Sequence, residues 1–256
     1  MIKRLLAASL IALSVATAPA LAEAADDDVA LRLRATVEID PAQIEAFEAA
    51  WLVIRDQLEA DGYPYYSVVS EHQNKRVLVS VVDEYANIIS AHRFVEQYRT
   101  SEDADIRAAA ETMAGAIRSL HVMTTSYDKK LSYVPPNSYA GPFHELKDLH
   151  YRISDQAAKE GLLRRTRALW AEAELPQAFH VSWHGFGTDF AAVTIMTSAT
   201  DLETHRANFG AVDAALEPEE NQALREAFQA IVTTDKTETW MARIDLRVFP
   251  PALRAD

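Results

Sequence analysis

The first regular pattern after the N-terminal segment is a strict alternation of apolar and polar residues over positions 31–39, which read LRLRATVEI. A period of two predicts a β-strand with one apolar and one polar face. Asp40-Pro41 then offers a capping carboxylate and a proline suited to the first helical position. Apolar residues recur at helical spacing over 44–58, and Asp61-Gly62 is typical of a helix end. The chain is therefore predicted to open with a strand and an amphipathic helix.

The following residues predict a hairpin, two helices and a further strand. Strand-like residues occupy 65–71 and 76–82, with the turn sequence HQNK between them. A helix around His92 follows. A second helix begins at 101–103 with acidic residues in its first turn, and its apolar row extends to Leu120. The last strand of this half is predicted from about Val122 to Tyr133.

The same order of elements returns in the second half, starting with a strand predicted from Glu145 to Ile153. Corresponding residues lie 112 to 115 positions apart, at His92-Arg93 and His205-Arg206, Ile39 and Ile153, Val69-Ser70 and Val181-Ser182, and Pro135 and Pro250. Four separate matches at one spacing indicate an internal duplication. We therefore predict a first repeat at 29–136, a linker at 137–142 and a second repeat at 143–251.

The repeated unit also predicts the fold class. Strand, helix, strand, strand, helix, strand is the split arrangement of ferredoxin-like folds, in which both helices cover one face of an antiparallel sheet. The other face is bare, and two such sheets in one chain can cover each other. We expect an α+β protein whose two tandem ferredoxin-like repeats form an intramolecular α+β barrel.

Two segments carry a family resemblance, VVDEYANIISAH and IMTSATDLETH. Each resembles the antibiotic-biosynthesis-monooxygenase-like branch of the dimeric α+β barrel superfamily, where a strand and a few polar residues precede a helix that carries histidine. The extra helices at 103–120 and 218–232 depart from that branch, as does the lack of a tryptophan just before the histidine helix. The superfamily includes cofactor-free oxygenases, isomerases and decarboxylases as well as haem enzymes. The resemblance thus implies a small-molecule cavity and leaves the reaction open.

The N-terminal segment has the three parts of a secretory signal, namely Lys3-Arg4, an apolar run over 5–16, and the small-residue site Ala20-Leu21-Ala22. We expect cleavage after residue 22 and a periplasmic or secreted protein. No later segment approaches the roughly 20 apolar residues that a bilayer requires, so no membrane anchor is expected. The chain has no cysteine, so it has no disulfide framework.

Charge and composition exclude some partners and cofactors. The formal net charge is −13, and removal of the leader would take away two positive charges. Such an acidic surface repels phosphate backbones, so nucleic acid is not an expected partner. The sequence has only 7 glycines and contains neither a Gly-rich phosphate loop nor a Gly-x-Ser-x-Gly elbow. No nucleotide cofactor is expected.

The candidate site lies on the strand faces that alternate with the apolar positions. In the second repeat, Phe179, Val181 and Trp183 should pack under the helices, which turns the intervening residues toward the interior. We assign catalysis to His150, His180 and His184. We assign substrate contact to Arg34, Arg152, His72 and Ser182, because arginine suits a carboxylate or enolate. Strand geometry predicts that His150 and His180 lie about 10 Å apart. The alternative is that these residues only line a wet barrel mouth.

The remaining histidine patterns favour structural roles. His92 and His205 lie on apolar helix rows, so we interpret them as packed histidines bonded to a backbone group, although the family resemblance would make them functional. His180 and His184 lie about 13 Å apart on a strand, too far to share a metal ion. No metal site is expected.

These patterns lead to three hypotheses. The first is an exported enzyme without metal or nucleotide that uses histidine acid/base chemistry on an aromatic or conjugated substrate, as an isomerase, decarboxylase or cofactor-free oxygenase does. The second is a haem-binding protein of the same superfamily, with an interior histidine as axial ligand. The third is a periplasmic ligand-binding protein without catalysis.

The duplication also predicts the oligomeric state. If the two repeats cover each other within one chain, the mature protein should elute from gel filtration as a monomer with a pseudo-dimeric barrel. The alternative is that each repeat pairs with another chain, and elution at twice the monomer mass or more would support it.

Overall fold

The computed structural model describes residues 29–65, 67–82, 98–135, 141–185 and 192–249. Its strands are β1 (Val29–Ile39), β2 (Ser67–His72), β3 (Lys75–Val82), β4 (Ile117–Tyr133), β5 (Phe143–Tyr151), β6 (Phe179–His184), β7 (Ala192–Ala199) and β8 (Val232–Val248). Its helices are α1 (Ile44–Ala60), α2 (Ala104–Ala116), α3 (Gln156–Glu172), α4 (Leu202–Ala215) and α5 (Pro218–Ile231). Single 3-10 turns, Pro41–Gln43 and Ile153–Asp155, lead into α1 and α3. The predicted helix around His92 lies outside the described residues.

The strands follow the hydrogen-bonded order β1-β3-β2-β8-β5-β7-β6-β4, which closes into a barrel. That order contains the ferredoxin-like arrangement twice, as β4-β1-β3-β2 and as β8-β5-β7-β6. The pairings of β1 with β3, β2 with β3, β5 with β7 and β6 with β7 are antiparallel. The predicted fold class, two tandem ferredoxin-like repeats forming an α+β barrel, is confirmed.

The chain divides into two compact units whose limits differ from those of the predicted repeats. The first unit comprises Ala30–Thr125 together with the chain from Ala242 onward, and the second comprises Ser126–Met241. The difference arises because β4 and β8, at 17 residues each, both begin in one unit and end in the other. The repeat boundaries at 136 and 143 describe the sequence duplication and stay a prediction.

The first unit buries the apolar faces that the sequence pattern predicts. Alternate residues of β1 pack with one face of α1 in a single apolar cluster that includes Leu33, Ala35, Val37, Ile39, Phe47, Trp51, Ile54 and Leu58. The indole Nε1 of Trp51 donates a hydrogen bond to the carbonyl of Leu246 at 2.8 Å. The helix is thereby joined to β8 as well as to β1, because a buried indole N–H needs an acceptor.

A partly buried ion-pair network adds polar contacts between α1 and the sheet of the first unit. Arg76 donates to the Glu48 carboxylate from Nε at 2.8 Å, and Arg243 donates to the same carboxylate at 2.9 and 3.0 Å. Arg243 also reaches Glu71 at 2.8 Å and Asp245 at 2.7 Å. These hydrogen bonds raise the pKa of Arg243, with Asp245 making the largest contribution. The guanidinium group of Arg243 therefore remains charged.

The two repeats end their first long helix in the same way. After α1, the N–H of Tyr63 donates to the carbonyl of Leu58 at 2.9 Å, and Gly62 takes the left-handed conformation with φ of 74°. After α3, Leu175 donates to Trp170 at 3.1 Å, and the left-handed position with φ of 50° is occupied by Glu174. This is the Schellman motif, which usually carries glycine at that position. The duplication thus extends to the hydrogen bonds of the helix ends.

Two predicted boundaries are wrong. The helix expected to reach Leu120 ends at Ala116, whose carbonyl accepts a hydrogen bond from the N–H of Asp40 at 2.8 Å. Ile117 is already extended and begins β4, since the sheet needs this segment as a strand. The strand expected to reach Ile153 ends at Tyr151, just after an irregularity in its pairing with β8.

In the second unit, the apolar face of the sheet packs against α3 and α4. Leu163, Leu169 and Trp170 of α3 and Val212 of α4 share one apolar cluster with strand residues, namely Leu131, Leu149, Phe179, Val181 and Val193. The hydroxyl of Tyr133 donates to the carbonyl of Leu175 at 2.9 Å and joins β4 to the end of α3. Since side chains alternate along a strand, the residues between these apolar positions lie on the opposite face.

The backbone conformation predicts opposite effects of one substitution at two glycines. Gly62→Ala should lower the free energy of unfolding by about 1 kcal/mol, because a side chain disfavours the left-handed conformation. Gly115→Ala should raise it by about 0.5–1 kcal/mol, because Gly115 lies in α2 with open space where a Cβ would stand. Urea unfolding of both variants measures this. Equal effects of the two substitutions would contradict the helix end described for α1.

Candidate functional site

The polar face of the second unit is built by β5, β6 and β7. Thr194 of β7 stands opposite Asp148 of β5 and opposite Ser182 of β6. His150 stands opposite Ala192, two residues along β7 from Thr194, and His180 stands opposite Met196. Residues directly opposite each other in a sheet share a face, so these side chains all lie on the face away from α3 and α4.

Three side chains on this face form a continuous hydrogen-bonded chain. The hydroxyl of Thr194 lies 2.5 Å from Oδ1 of Asp148, and Nε2 of His184 lies 2.7 Å from the same hydroxyl. The direct separation between Nε2 of His184 and Oδ1 of Asp148 is 3.6 Å. The carboxylate of Asp148 is 17% exposed, whereas the side chain of His184 is 5% exposed.

The donors and acceptors in this chain have one consistent arrangement. An ionised carboxylate only accepts hydrogen bonds, so the hydroxyl of Thr194 donates to Asp148. The oxygen of Thr194 is then free to accept from Nε2–H of His184. The neutral imidazole consequently carries its lone pair on Nδ1, and this buried nitrogen has no hydrogen-bond partner among the described residues. Asp148 and Thr194 therefore orient the ring of His184 and place its lone pair on Nδ1.

His150 joins this group through the register of the sheet. It pairs with Ala192, and His184 follows Trp183, which pairs with the next residue, Val193. His150 and His184 therefore lie at the same level on either side of β7, two strand spacings or about 10 Å apart. His150 is half-buried, in contrast to the buried imidazole of His184. The structure brings together two of the three predicted catalytic histidines.

His180 does not join them. It pairs with Met196, which also stands opposite Leu146, so His180 lies four residues along the sheet from the level of His150. The predicted 10 Å between His150 and His180 is wrong, because four residues add about 13 Å along the strands. The side chain of His180 is buried, with its ring centroid 5.8 Å from that of Tyr127. This environment suits a packed histidine.

The residues predicted to contact substrate are divided between the two units. Ser182 is buried on β6 in the second unit, where it pairs with Thr194. Arg152 is exposed and follows the end of β5, so it is not on the strand face where alternation placed it. In the first unit, Arg34 is buried on β1 and His72 is half-buried at the end of β2. Within the second unit, only Ser182 of these residues adjoins the chain from Asp148 to His184.

His205 is a packed residue, as the sequence predicts, although its partner differs. Its Nε2 lies 2.8 Å from the hydroxyl of Thr197, a side chain instead of the expected backbone group. Its ring centroid lies 4.8 Å from that of Phe209 and 5.2 Å from that of Phe143. Burial lowers the pKa of His205, and the nearby charge of Glu145 opposes that shift. His92 lies outside the described residues, so its role stays a prediction.

The sequence pattern does not indicate the roles of two residues in this region, Thr194 and Lys159. Thr194 alternates with Val193 and Ile195 like an ordinary strand residue, and its role follows only from its position between Asp148 and His184. Lys159 on α3 is 1% exposed, with Nζ 3.0 Å from the centroid of the Tyr151 ring and 3.7 Å from that of the Trp183 ring. Burial lowers the pKa of Lys159 to about 7. Lysine in a helix usually indicates a solvated face, so no sequence pattern marked this one.

The described residues were also compared with what a metal site and a membrane-spanning helix require. No group of three or more histidine, aspartate or glutamate side chains is arranged there to hold a metal ion. Among the described helices, none is long and apolar enough to cross a membrane.

Comparison with solved structures identifies the fold. An anthrone oxidase-like protein matches with a TM-score of 0.55 at 10% identity, covering 85% of this chain and 92% of the other. A provisionally named monooxygenase from Lactobacillus acidophilus NCFM matches with a TM-score of 0.52 at 8% identity, covering 84% and 94%. A mutant form of chlorite dismutase from Candidatus Nitrospira defluvii matches with a TM-score of 0.50 at 12% identity, covering 86% and 92%.

At these identities the likeness shows the fold alone. The chain has the α+β barrel fold that the resemblance predicts. No protein-family model matches the sequence, and comparison with curated proteins finds no match. The function must therefore be argued from the site itself.

Proposed function

We propose that the protein is a small-molecule enzyme that transfers a proton through His184, without metal or nucleotide cofactor. The observation that carries this proposal is the hydrogen-bonded chain from Asp148 through Thr194 to His184. That chain orients one imidazole and leaves its Nδ1 lone pair without a partner among the described residues. A base oriented by a second group is the usual arrangement in general acid/base catalysis.

The geometry supports both directions of proton transfer. When Nδ1 takes a proton, the imidazolium that forms has the carboxylate of Asp148 within 3.6 Å of its other nitrogen. The hydrogen bond between Thr194 and Nε2 keeps the ring from rotating during the transfer. The same ring can then return the proton to another atom of the substrate. This sequence suits isomerisation, decarboxylation, or deprotonation before attack by oxygen.

The chemistry also limits the substrate class. An imidazole is a weak base, so it can remove only a proton whose loss leaves a delocalised anion. Aromatic and conjugated molecules with an acidic O–H or C–H meet that requirement. His150, at the same level of the sheet and half-buried, is positioned to contact the far side of such a molecule or to act as the second acid/base group. Because Nδ1 of His184 is buried, substrate binding must shift the side chains that cover it.

Haem, the alternative cofactor that the family resemblance implies, fits these residues less well. An axial histidine is often held by a hydrogen bond from its other nitrogen, and His184 has such a bond. A porphyrin is, however, a rigid plane far larger than the substrates proposed above, and further along the same face of the sheet the side chains of His144, His180 and Trp240 are all buried. No step of the proposed mechanism involves haem.

A ligand screen with matched variants tests the proposal. Wild-type protein is titrated calorimetrically with small phenols and aromatic acids, and products are followed by mass spectrometry. His184→Ala should lower turnover at least about 100-fold, because it removes the base. Thr194→Val should lower turnover about 10-fold, because the valine keeps the side-chain shape but no longer orients the His184 ring. His121→Ala, at an exposed histidine of the first unit, is the control and should leave turnover unchanged.

The contrast with His205 makes the assignment specific. His205→Ala should lower the melting temperature, because it leaves a void and an unpaired Thr197 hydroxyl, while turnover per folded molecule is retained. Loss of activity in His205→Ala at unchanged melting temperature, with His150→Ala and His184→Ala fully active, would contradict the proposal. Heat of binding without product in the wild type would support a ligand-binding protein. A Soret band in protein produced with haem supply would support the haem alternative.

We further propose that the protein is exported. Support comes from the charged, apolar and small-residue parts of the first 22 residues. When the full-length chain is expressed in a bacterial host, its intact mass in the exported fraction should lack residues 1–22. An uncleaved chain confined to the cytoplasm would contradict export and would leave the proposed chemistry unaffected.

A further inference from the structure

Lys159 occupies an unusual environment beneath the candidate site. Its ammonium or amine nitrogen lies between the faces of Tyr151 and Trp183, and the residue is 1% exposed. Among the described residues, Nζ has no hydrogen-bond partner. A lysine buried in this way normally pairs with a carboxylate, since burying an unpaired charge is costly. The two ring faces attract a cation, but they do not replace the hydration that burial removes, so burial favours the uncharged amine.

Apart from the two ring faces, no group around Lys159 offsets the loss of hydration of its ammonium form. Lys159 is the fourth residue of α3, and the positive end of the helix dipole disfavours a cation there. Glu160 follows it in the chain and favours the charged form, though less than burial opposes it. The carboxylate of Asp128 accepts a hydrogen bond from Nε1 of Trp183 at 3.0 Å, so its partner is the indole and not Lys159. Burial, reinforced by Glu160, raises the pKa of Tyr151, which keeps its hydroxyl neutral near pH 7.

The two rings connect this lysine to the candidate site through the chain itself. Tyr151 directly follows His150 on β5, and Trp183 directly precedes His184 on β6. Neighbouring residues of a strand project to opposite faces of the sheet, so Lys159 lies under the two strand segments that carry both histidines. A displacement of either ring that carries its Cα along also shifts the backbone that holds the neighbouring histidine.

We propose that Lys159 is a pH-sensitive latch for the candidate site. As a neutral amine it fills the space between Tyr151 and Trp183 and holds the start of α3 on the sheet. As a cation it leaves that space for water, and the strand segments bearing His150 and His184 lose their support. The regulation of the site rests on the proposed function, whereas the titration of Lys159 does not.

The sign of the pH dependence follows from linkage. Burial lowers the pKa of Lys159 from its ordinary value of 10.5 to about 7 in the folded protein. Between these two values the unfolded chain binds the additional proton, so stability rises with pH over this range. Below pH 7 the lysine is protonated in both states and contributes no further change. The latch is closed above pH 7 and opens as the pH falls through 7.

The experiment combines a titration with one variant and one control. In protein labelled with carbon-13 at the lysine ε position, the Lys159 signal should titrate near pH 7. Lys159→Met keeps a side chain of similar length without charge. From pH 7.5 to 9.5, the unfolding constant of the wild type should fall by roughly 70-fold relative to that of Lys159→Met, which follows from the two pKa values. Lys129→Met, at an exposed lysine of β4, should retain the wild-type dependence.

The coupling to the site is measured in the same samples. The difference in the His184 ring signals between wild type and Lys159→Met should change with pH at the midpoint of Lys159, and Lys129→Met should match the wild type. A Lys159 midpoint near 10.5 overturns the latch, and this wild-type measurement decides the question even if Lys159→Met does not fold. A midpoint near 7 for Lys159 with no response of His184 overturns the regulation. Neither readout needs a substrate, so failure of the ligand screen would be distinguishable from failure of the latch.

Discussion

The structure depends first on the pairing of its edge strands, whose backbone N–H and C=O groups need hydrogen-bond partners. A ferredoxin-like sheet has two edges, and an exposed edge leaves unpaired N–H and C=O groups that invite aggregation. Here the closed order gives each of the described strands two neighbours. The closure requires β4 and β8 to be 17 residues long, because each begins beside one set of strands and ends beside another. This requirement explains why the helix ends at Ala116 and a strand begins at Ile117.

The two faces of the paired strands differ in their surroundings. The apolar face of the second unit is filled by α3 and α4, and the polar face carries the chain from Asp148 to His184. Lys159 is connected to both faces of the sheet. It lies on the apolar side, yet the rings it contacts adjoin the two histidines of the polar side. Both faces of a sheet share one backbone, so a shift of a strand on the apolar side also shifts the side chains on the polar side.

The candidate site was only partly predictable. Alternation along β6 placed His184 and Ser182 on the correct face, and helix periodicity placed His205 in the core. Which histidines lie together depends on register, which a single sequence does not specify. The register brings His150 level with His184 and places His180 about 13 Å further along the strands. The partnership of Thr194 with Asp148 depends on the same register.

The sequence by itself determined the order of the described elements and their apolar faces, because these follow from local periodicity and capping, which act over a few residues. It also indicated the duplication, through matches at one spacing. It also determined that His205 packs in the core. Only the tertiary structure decided that Thr194 connects Asp148 to His184, that Arg152 is exposed beyond β5, and that Lys159 is buried between two rings. Each of these depends on residues distant in sequence meeting across strands or between a helix and a sheet. Such meetings are set by register and packing, and local periodicity does not encode them.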